Sequence, residues 1–345
     1  MNREEIIRLR LANQRLSVPG FDKPEDAVAH FGAIQAQDYG MALWAVALRT
    51  KSLEKSAVEN CIISGEMVRT HILRPTWHWV HRADLRWMLE LSAPYVKKIT
   101  HYNDKKEGLS SELFLKVWKI IEHQFRDADN LSKEDIMAGL AEQHIEVSNL
   151  LATQILIRAE LEMLLCNGIK KNTYSLFEKK IPVGEALTQA EAIEKLARRY
   201  YFSRGPATLK DFAWWSGMSL SDAKAGISAM GNDLLHFDLE GLRYYYFEPQ
   251  NTIPNIPVSD LLPCFDEYTV GYSEGRNIVL PTGLDSSETG NGIFKPIVMV
   301  ENEIVGTWRK IKKNPFVEIS AFSNQKSLSR KNTEELLGRF NRFNI

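Results

Sequence analysis

The chain has 345 residues, 44% of them hydrophobic and 25% charged, an ordinary composition for a globular protein of about two or three domains. No stretch approaches the roughly 18 apolar residues that a membrane helix needs, and the N-terminus lacks the apolar segment of a secretory signal. The three cysteines lie far apart and fit neither a disulfide framework nor a zinc finger. We therefore expect a cytoplasmic protein that makes no contact with a membrane.

The charge is distributed unevenly along the chain. The formal net charge is −1, but residues 306–345 hold nine Lys/Arg against three Asp/Glu, so this tail is strongly basic and the remainder is acidic. Because local positive surface rather than net charge sets the attraction to phosphates, the asymmetry permits DNA binding without requiring it.

Helical periodicity and strand-like alternation predict a similar order of elements more than once. In residues 1–82 we expect three helices and a hairpin, at Arg3–Leu16, Pro24–Gly32, Ser52–Ser64, Met67–Leu73 and Thr76–His81. In residues 83–185 we expect longer helices and a short hairpin: a helix capped by Asp84, helices at 110–125, from 132 and at 148–168, and a hairpin near 170–173. The fourth of these helices offers polar side chains typical of a recognition helix and equally typical of any solvated helix, namely Asn149, Thr153, Gln154 and Arg158.

The clearest module spans residues 186–250. Three capping boxes predict three helix starts, at Thr188, Thr208 and Ser219. Two strand-like runs follow, Leu234–Phe237 and Leu242–Phe247. Three helices and a hairpin form a winged helix.

The last hundred residues have a different pattern. Ile297–Val300 and Ile304–Trp308 predict a hairpin, and a final helix is expected near Asn332–Phe343. The sequence therefore predicts a mainly α fold with β-hairpin wings (α+β). Three tandem winged-helix domains, 1–82, 83–185 and 186–250, would precede a small C-terminal β-rich region, 251–345.

The most informative motif is Gln35-Ala36-Gln37. In an extended segment its two amides share a face, so both can converge on one water. Neutral glutamines bind water through their carbonyl oxygens but are not strong general bases. From the spacing alone, a pair of polar residues near a helix terminus is the more common meaning. Asp38 is a rival catalyst, although in an extended strand it would point away from the glutamines.

Such amides suit a bond that is already activated. A purine alkylated at N7 or N3 carries a positive charge, which weakens its glycosidic bond and leaves little need for acid catalysis. What remains is to stabilise an oxocarbenium-like sugar and to place water behind it. An enzyme of this kind should act on cationic lesions and poorly on uncharged ones.

The predicted hairpin around residues 69–78 carries groups suited to a nucleic-acid backbone. Arg and Thr donors suit phosphates, and His or Trp could fill the gap left by an extruded base. The candidate DNA-binding residues are Arg69, His71, Arg74, Thr76 and His78. Core packing is the alternative, and we favour it for Trp77 and Trp79.

The sequence lacks the motifs of metal-dependent, nucleotide-binding and serine-hydrolase chemistry. The eight histidines show no metal spacing such as H-E-x-x-H, and no phosphate-binding glycine loop or G-x-S-x-G turn occurs. We therefore expect no metal and no organic cofactor. No lysine is evident beside the Gln motif, so strand cleavage through a Schiff base is not expected. Trp214-Trp215 indicates a core element, and Asp266-Glu267 indicates a structural cap.

Four ordered motifs resemble the AlkZ-like (YcaQ-like) winged-helix DNA glycosylases. These motifs cover nearly the whole chain and lie at Ala33–Gln37, Arg69–Val80, Leu262–Tyr272 and Ile304–Arg309. The resemblance implies tandem winged helices in a C-shape, a DNA channel along the concave side and a small C-terminal β-rich part. Gln at the last motif position looks like the AlkZ-type branch, which removes bulky N7-alkylpurine adducts and unhooks some interstrand crosslinks. By the same resemblance Gln35 and Gln37 form the catalytic pair, while Ala36 is smaller than the residue the family often has there.

We predict a monomeric, monofunctional DNA glycosylase that acts on cationic N7- or N3-alkylated purines in double-stranded DNA. Two alternatives belong to other classes of protein. A non-catalytic winged-helix regulator would bind paired half-sites as a dimer. A protein-interaction scaffold would reuse winged helices and show little DNA affinity at physiological salt.

Overall fold

The computed structural model describes residues 1–249, 251–281, 295–311, 317–322 and 328–343. The chain divides into two compact units: the first comprises residues 1–59, 193–215 and 219–345, and the second comprises 60–192 and 216–218. The expected α+β class is confirmed, since helices alternate with small antiparallel sheets. Within the described ranges, no helix combines the length and the apolar character needed to cross a membrane.

The N-terminal segment surrounds the Gln motif with helices. Its elements are α1 (Arg3–Asn13), α2 (Pro24–Phe31), β1 (Ala33–Gln35), α3 (Tyr39–Ala47) and α4 (Lys55–Ile63). Asn2 begins α1 through a capping box. Pro24 occupies the first turn of α2, where its missing N–H costs nothing.

Helix α3 was not predicted from the sequence, which indicated no helix between Gly32 and Ser52. Asp38 is in fact its N-cap, because the carboxylate Oδ1 accepts the backbone N–H of Met41 at 2.9 Å. Residues 41–47 are all buried. Helix α3 therefore has no polar face and lacks the amphipathic period by which a surface helix is recognised.

Ten elements follow in residues 67–180. They are β2 (Met67–His71), β3 (Trp77–His81), α5 (Arg82–Lys106), α6 (Ser111–Gln124), β4 (Leu131–Ser132), α7 (Lys133–Glu142), α8 (Asn149–Leu161), β5 (Leu165–Asn167), β6 (Thr173–Leu176) and α9 (Phe177–Lys180). Strands β2 and β3 pair antiparallel with His71 opposite Trp77, which confirms the predicted hairpin. From α6 to β6 the order of elements is that of a winged helix, with a sheet in the order β4-β6-β5.

Two helices in this second unit, α5 and α8, have boundaries that differ from the prediction. The N-cap of α5 is His81 rather than Asp84, and the Asp84 carboxylate instead accepts the indole N–H of Trp87 at 3.0 Å. Helix α8 ends at Leu161 rather than at Gly168, because residues 165–167 pair with β6 as a strand.

Residues 189–246 contain α10 (Gln189–Arg204), β7 (Ala207–Thr208), α11 (Leu209–Ser216), α12 (Leu220–Ala229), the 3-10 turn Gly231–Asp233, β8 (Leu235–Leu239) and β9 (Leu242–Tyr246). All three predicted helix starts are confirmed. The Thr188, Thr208 and Ser219 hydroxyls each accept the backbone N–H three residues later. The sheet order is β7-β9-β8, so this stretch also has winged-helix order.

The C-terminal elements form a four-stranded antiparallel sheet and two helices. They are β10 (Asp260–Leu262), α13 (Glu267–Val270), the 3-10 turn Glu274–Ile278, β11 (Ile297–Val300), β12 (Glu303–Lys310), β13 (Val317–Ala321) and α14 (Arg330–Phe343). The β11–β12 hairpin and the final helix confirm the prediction. Helix α14 buries Phe340 and Phe343 against Trp44 of α3, with ring centroids 5.4 and 5.0 Å apart.

Candidate active site and nucleic-acid interface

The Gln motif runs from a buried strand to an exposed helix start. Gln35 ends β1 and is 4% exposed, and Ala36 is fully buried. Gln37 is exposed and lies in the bend before the α3 N-cap. The first glutamine is therefore fixed by the core, while the second faces solvent.

Glu267 holds the strand end at Gln35. Its Oε1 accepts the backbone N–H of Gln35 at 2.7 Å. Its Oε2 accepts from Arg204 Nε at 2.9 Å, from Arg204 Nη2 at 2.7 Å and from the indole N–H of Trp215 at 3.1 Å. The Glu267 and Arg204 side chains are fully buried. The positive charge of Arg204 compensates the carboxylate that binds the strand.

Arg204 holds the same strand from its other end. Its guanidinium donates to the carbonyls of Phe31 at 3.0 Å and Ala33 at 2.8 Å, and it lies 4.3 Å over the Trp215 ring. Within this ion pair, Arg204 donates to the carbonyl of Ala33 and Glu267 accepts the N–H of Gln35. Strand β1 is therefore positioned by two charged groups from distant parts of the sequence.

A second buried ion pair supports α13. Arg49 binds Asp266 in bidentate geometry, with both nitrogen–oxygen distances 2.9 Å, and neither side chain is exposed. Asp266 also accepts the N–H of Tyr268 as the N-cap of α13. The predicted cap is confirmed for Asp266. The role of Glu267 was missed, because its partners are distant in sequence.

A basic group reaches the helix start beside Gln37. Lys310 Nζ and Asp38 Oδ1 lie 4.0 and 3.7 Å from the position that a Cβ on Gly40 would occupy. Burial lowers the pKa of Lys310, and the Asp38 carboxylate opposes that shift. Burial raises the pKa of the nearby Cys264 thiol to about 12. Lys310 is distant from Gly40 in sequence, so only the tertiary structure brings its ammonium group to the start of α3.

The β2–β3 hairpin is largely buried. Arg69, His71 and His78 are 4%, 5% and 0% exposed, while Arg74 and Thr76 in the bend are partly exposed. The bend is therefore the part of the hairpin that faces solvent.

Aromatic stacking organises the buried side of the hairpin. The Arg69 guanidinium lies 4.2 Å over the Trp77 ring, and the His71 ring centroid lies 3.9 Å from that of Trp77. His78 Nδ1 is 2.9 Å from the Thr76 carbonyl. These contacts fix the strands on either side of the bend.

A buried carboxylate from α8 anchors the hairpin. Glu160 Oε2 accepts the backbone N–H of His71 at 2.8 Å and lies 2.7 Å from His71 Nδ1, and the Thr70 hydroxyl donates to it at 3.3 Å. Glu160 is fully buried. The C-terminal half of α8 therefore contacts the hairpin, while Asn149 and Thr153 near the start of the helix are exposed.

Gly217 packs against the bend itself. It ends α11 with φ +70°, and a Cβ at this position would lie 2.1 Å from the Leu73 carbonyl oxygen. Leu73 is itself left-handed, with φ 64°. Only glycine lets the backbone at position 217 approach the Leu73 carbonyl this closely, and this contact holds the bend in place.

The tryptophan pair splits between core and surface. Trp215 is fully buried as predicted, but Trp214 is 42% exposed, and its indole N–H donates to the Val270 carbonyl at 3.3 Å. Trp214 is therefore not a core residue. Helix α11 turns adjacent residues to different faces, which the dipeptide alone does not reveal.

Much of the basic C-terminal tail is compensated by carboxylates. In the part of this tail that the structure describes, four basic side chains form ion pairs: Arg309 with Glu318, Arg330 with Glu334, Lys331 with Glu335 and Arg339 with Asp260. Asp260 lies outside the tail, so its pair with Arg339 lowers the positive charge of this region below the value counted from the tail alone.

Comparison with known proteins gives a consistent result. The model of the family described as DNA glycosylase AlkZ-like matches residues 28–343. An interstrand DNA cross-link repair glycosylase from Streptomyces sahachiroi is 21% identical in an alignment over 336 residues that covers 88% of this chain and 86% of that protein. The solved structure of the Streptomyces sahachiroi DNA glycosylase AlkZ matches with a TM-score of 0.79 at 19% identity, covering 99% of this chain and 96% of that one. At this identity the structural likeness shows the fold.

Proposed function

Because the chain belongs to the AlkZ-like DNA glycosylase family, we propose that it is a monofunctional enzyme that hydrolyses the N-glycosidic bond of cationic N7- or N3-alkylated purines in double-stranded DNA. The observation that carries the proposal is the Gln35-x-Gln37 motif at a strand end that the buried Arg204–Glu267 pair holds in place. The Streptomyces sahachiroi relative is named for repair of interstrand cross-links. We extend the proposed substrates to crosslinks through N7-alkylated purines.

The two amides would supply position and dipoles rather than proton transfer. In this mechanism the carbonyl oxygens of Gln35 and Gln37 bind the attacking water and face the developing positive charge of the sugar. The alkylated purine leaves without a proton from the enzyme, because it is already cationic. Glu267 would act as a positioning residue, since it accepts the backbone N–H of Gln35.

Asp38 is the second candidate catalyst. Its carboxylate caps α3 by accepting the Met41 N–H, which favours a structural role. Substituting Asp38 with Asn keeps a capping oxygen and removes the charge, so this variant separates the two roles.

The hairpin is the proposed DNA contact near the lesion. Arg74 is partly exposed and could reach a phosphate, whereas the Thr76 hydroxyl is itself buried in the bend. Arg69, His71 and His78 would act from beneath the bend by fixing its shape. We further propose that the protein acts as a cytoplasmic monomer and that the N-terminal region is a third winged-helix domain.

The test is release of base from duplex DNA that carries N7-methylguanine, measured with excess enzyme. We expect release by the wild-type protein and a loss of roughly 100-fold or more in the Gln35→Ala and Gln37→Ala variants, with duplex binding retained. Asp38→Asn should stay close to wild type. Binding without release, from this lesion and from a bulkier N7 adduct, would favour the winged-helix regulator.

The same reactions test the monofunctional part of the proposal. Hydrolysis leaves an abasic site, so strand breaks should appear only after alkali treatment. Strand breaks without alkali would show that an amine attacks the sugar, and Lys310 would be the first residue to substitute.

A further inference from the structure

The C-terminal half of α5 presents a basic face with an aromatic residue at its centre. The buried residues of this half recur every four positions, at Val96, Thr100 and Asp104. Residues three or four apart share a helix face, so the opposite face carries Lys98, Tyr102, Lys105 and Lys106. These four residues are called the α5 stripe.

The stripe exposes apolar as well as charged surface. Tyr102 is 74% exposed, and Ile99 beside it is 53% exposed. In the part of the chain that the structure describes, neither the Tyr102 side chain nor any lysine side chain of the stripe makes a hydrogen bond or ion pair with another residue. The stripe therefore has no partner within the described protein.

Its positive charge is also uncompensated, in contrast to other exposed lysines. Lys97 binds Glu162 at 2.8 Å, and Lys179 binds Asp129 at 3.2 Å. The acidic residue in this half of α5, Asp104, is buried on the opposite face. Local potential at the stripe is therefore positive even though the chain as a whole is not.

The helix dipole accounts for only part of this arrangement. Lys105 and Lys106 lie in the last turn, where positive charge interacts favourably with the free carbonyls. Lys98 lies about two turns earlier, beyond that effect, and Tyr102 carries no charge. A ligand that attracts both ammonium groups and a phenol explains the whole set.

We propose that the α5 stripe binds the phosphate backbone of double-stranded DNA. This inference rests on the proposed function, because it assumes that duplex DNA is the substrate. From Lys98 to Lys106 the helix rises about 12 Å, enough for the lysines to reach about three phosphates of one strand. The phenol of Tyr102 would donate to a phosphate oxygen or pack on the sugar between them.

Contacts of this kind raise affinity for any sequence and leave the chemical step unchanged. The test compares wild type with the triple variant Lys98→Gln, Lys105→Gln and Lys106→Gln by titrating undamaged duplex at several salt concentrations. Three lost phosphate contacts should lower the slope of log affinity against log salt by about 2.7. The rate of base release at saturating enzyme should stay unchanged. Tyr102→Ser should weaken binding about fivefold without changing the slope.

A matched control removes three exposed lysines that are each paired with a carboxylate. The variant Lys51→Gln, Lys179→Gln and Lys210→Gln changes the net charge equally, and it should leave the slope close to wild type. An unchanged slope in the stripe variant would overturn the inference and indicate an acidic protein as the partner. Equal losses in both variants would overturn it as well. If the wild type released no base but its duplex binding depended on the stripe, the proposed function would fail and the stripe would stand.

Discussion

The backbone N–H of Gln35 donates to the carboxylate of Glu267 at 2.7 Å, although 232 residues separate them. The bond is buried, and Arg204 compensates the charge on Glu267. The Gln35-x-Gln37 motif consists of near neighbours in sequence, yet its strand is positioned by Glu267, which is distant in sequence.

Replacing Glu267 with Gln should cost both stability and activity. Breaking a buried ion pair leaves Arg204 uncompensated, so we expect a loss of about 3 to 5 kcal/mol in the free energy of unfolding. Asp266→Asn is the matched control, because it breaks the neighbouring Arg49 pair and leaves the Gln35–Glu267 bond intact. Measured on folded protein, base release should fall at least about tenfold more in Glu267→Gln than in the control. Equal activity in the two variants would show that Glu267 is only structural.

The Glu160 carboxylate should matter for DNA affinity more than for the chemical step. Glu160→Gln removes the charge of the group that accepts the buried backbone N–H of His71 and lies against its Nδ1, and the amide oxygen that remains forms weaker hydrogen bonds, at a cost of about 1 to 2 kcal/mol. We expect weaker duplex binding with an unchanged rate of base release at saturating enzyme. The control is Glu162→Gln on the same chain segment, whose partly exposed ion pairs contribute at most about 1 kcal/mol. Unchanged DNA affinity in Glu160→Gln would contradict a role for the anchored hairpin in binding.

Alanine at Gly217 should displace the hairpin bend. The added Cβ would meet the Leu73 carbonyl oxygen at 2.1 Å, so strain adds to the cost of a left-handed backbone. Gly231 provides the control, since it is also left-handed at φ +55° but has open space around it. We expect Gly231→Ala to cost about 1 to 2 kcal/mol and Gly217→Ala about 1 to 3 kcal/mol more, measured by denaturant unfolding. Equal losses of stability in Gly217→Ala and Gly231→Ala would mean that the bend moves away from the added Cβ without strain.

The buried imidazole of His30 should weaken the fold in mild acid. Burial lowers the pKa of His30 from 6.5 to about 4, and its Nε2 lies 2.7 Å from the Asn13 carbonyl. Between these two values the unfolded chain binds a proton that the folded protein does not, so stability is complete above pH 6.5 and falls as pH drops towards 4. The loss is about 3 kcal/mol at most. His30→Gln keeps a donor and should remove this pH dependence from denaturant unfolding curves.

Asp260 provides an internal control of opposite sign. Burial raises its pKa from 3.8 to about 6, with Arg339 opposing the shift. Its contribution to stability is therefore present below pH 3.8 and is lost as pH rises through 6. Asp260→Asn should make the acid destabilisation steeper in the same window. A shallower curve in that variant would contradict the assignment.

The local signals of the sequence were sufficient for much of the fold. Capping boxes placed the helices at Thr188, Thr208 and Ser219, and alternation placed the β2–β3 hairpin. Such patterns depend on neighbours within four residues, so they can be recognised without knowledge of the tertiary structure. Helix α3 was missed because every one of its residues from 41 to 47 is buried, which leaves no polar face to reveal the helical period.

The candidate site was predictable only in part. The Gln motif and the hairpin were identified from residue types, but the groups that hold them were not. Glu267 and Glu160 are buried acids whose partners lie far away in sequence, and no local pattern distinguishes such an acid from a solvated one. The exposure of Trp214 and the nearness of Lys310 to Gly40 were likewise set by the tertiary structure.

The distance along the chain between Gln35 and Glu267 has a consequence for synthesis. A ribosome adds about 5 to 20 residues per second, so the 232 residues between them take about 12 to 46 seconds to translate. During that interval the nascent chain contains both glutamines but lacks the carboxylate that orders their strand. A newly made molecule therefore acquires its assembled site only after Glu267 has been translated.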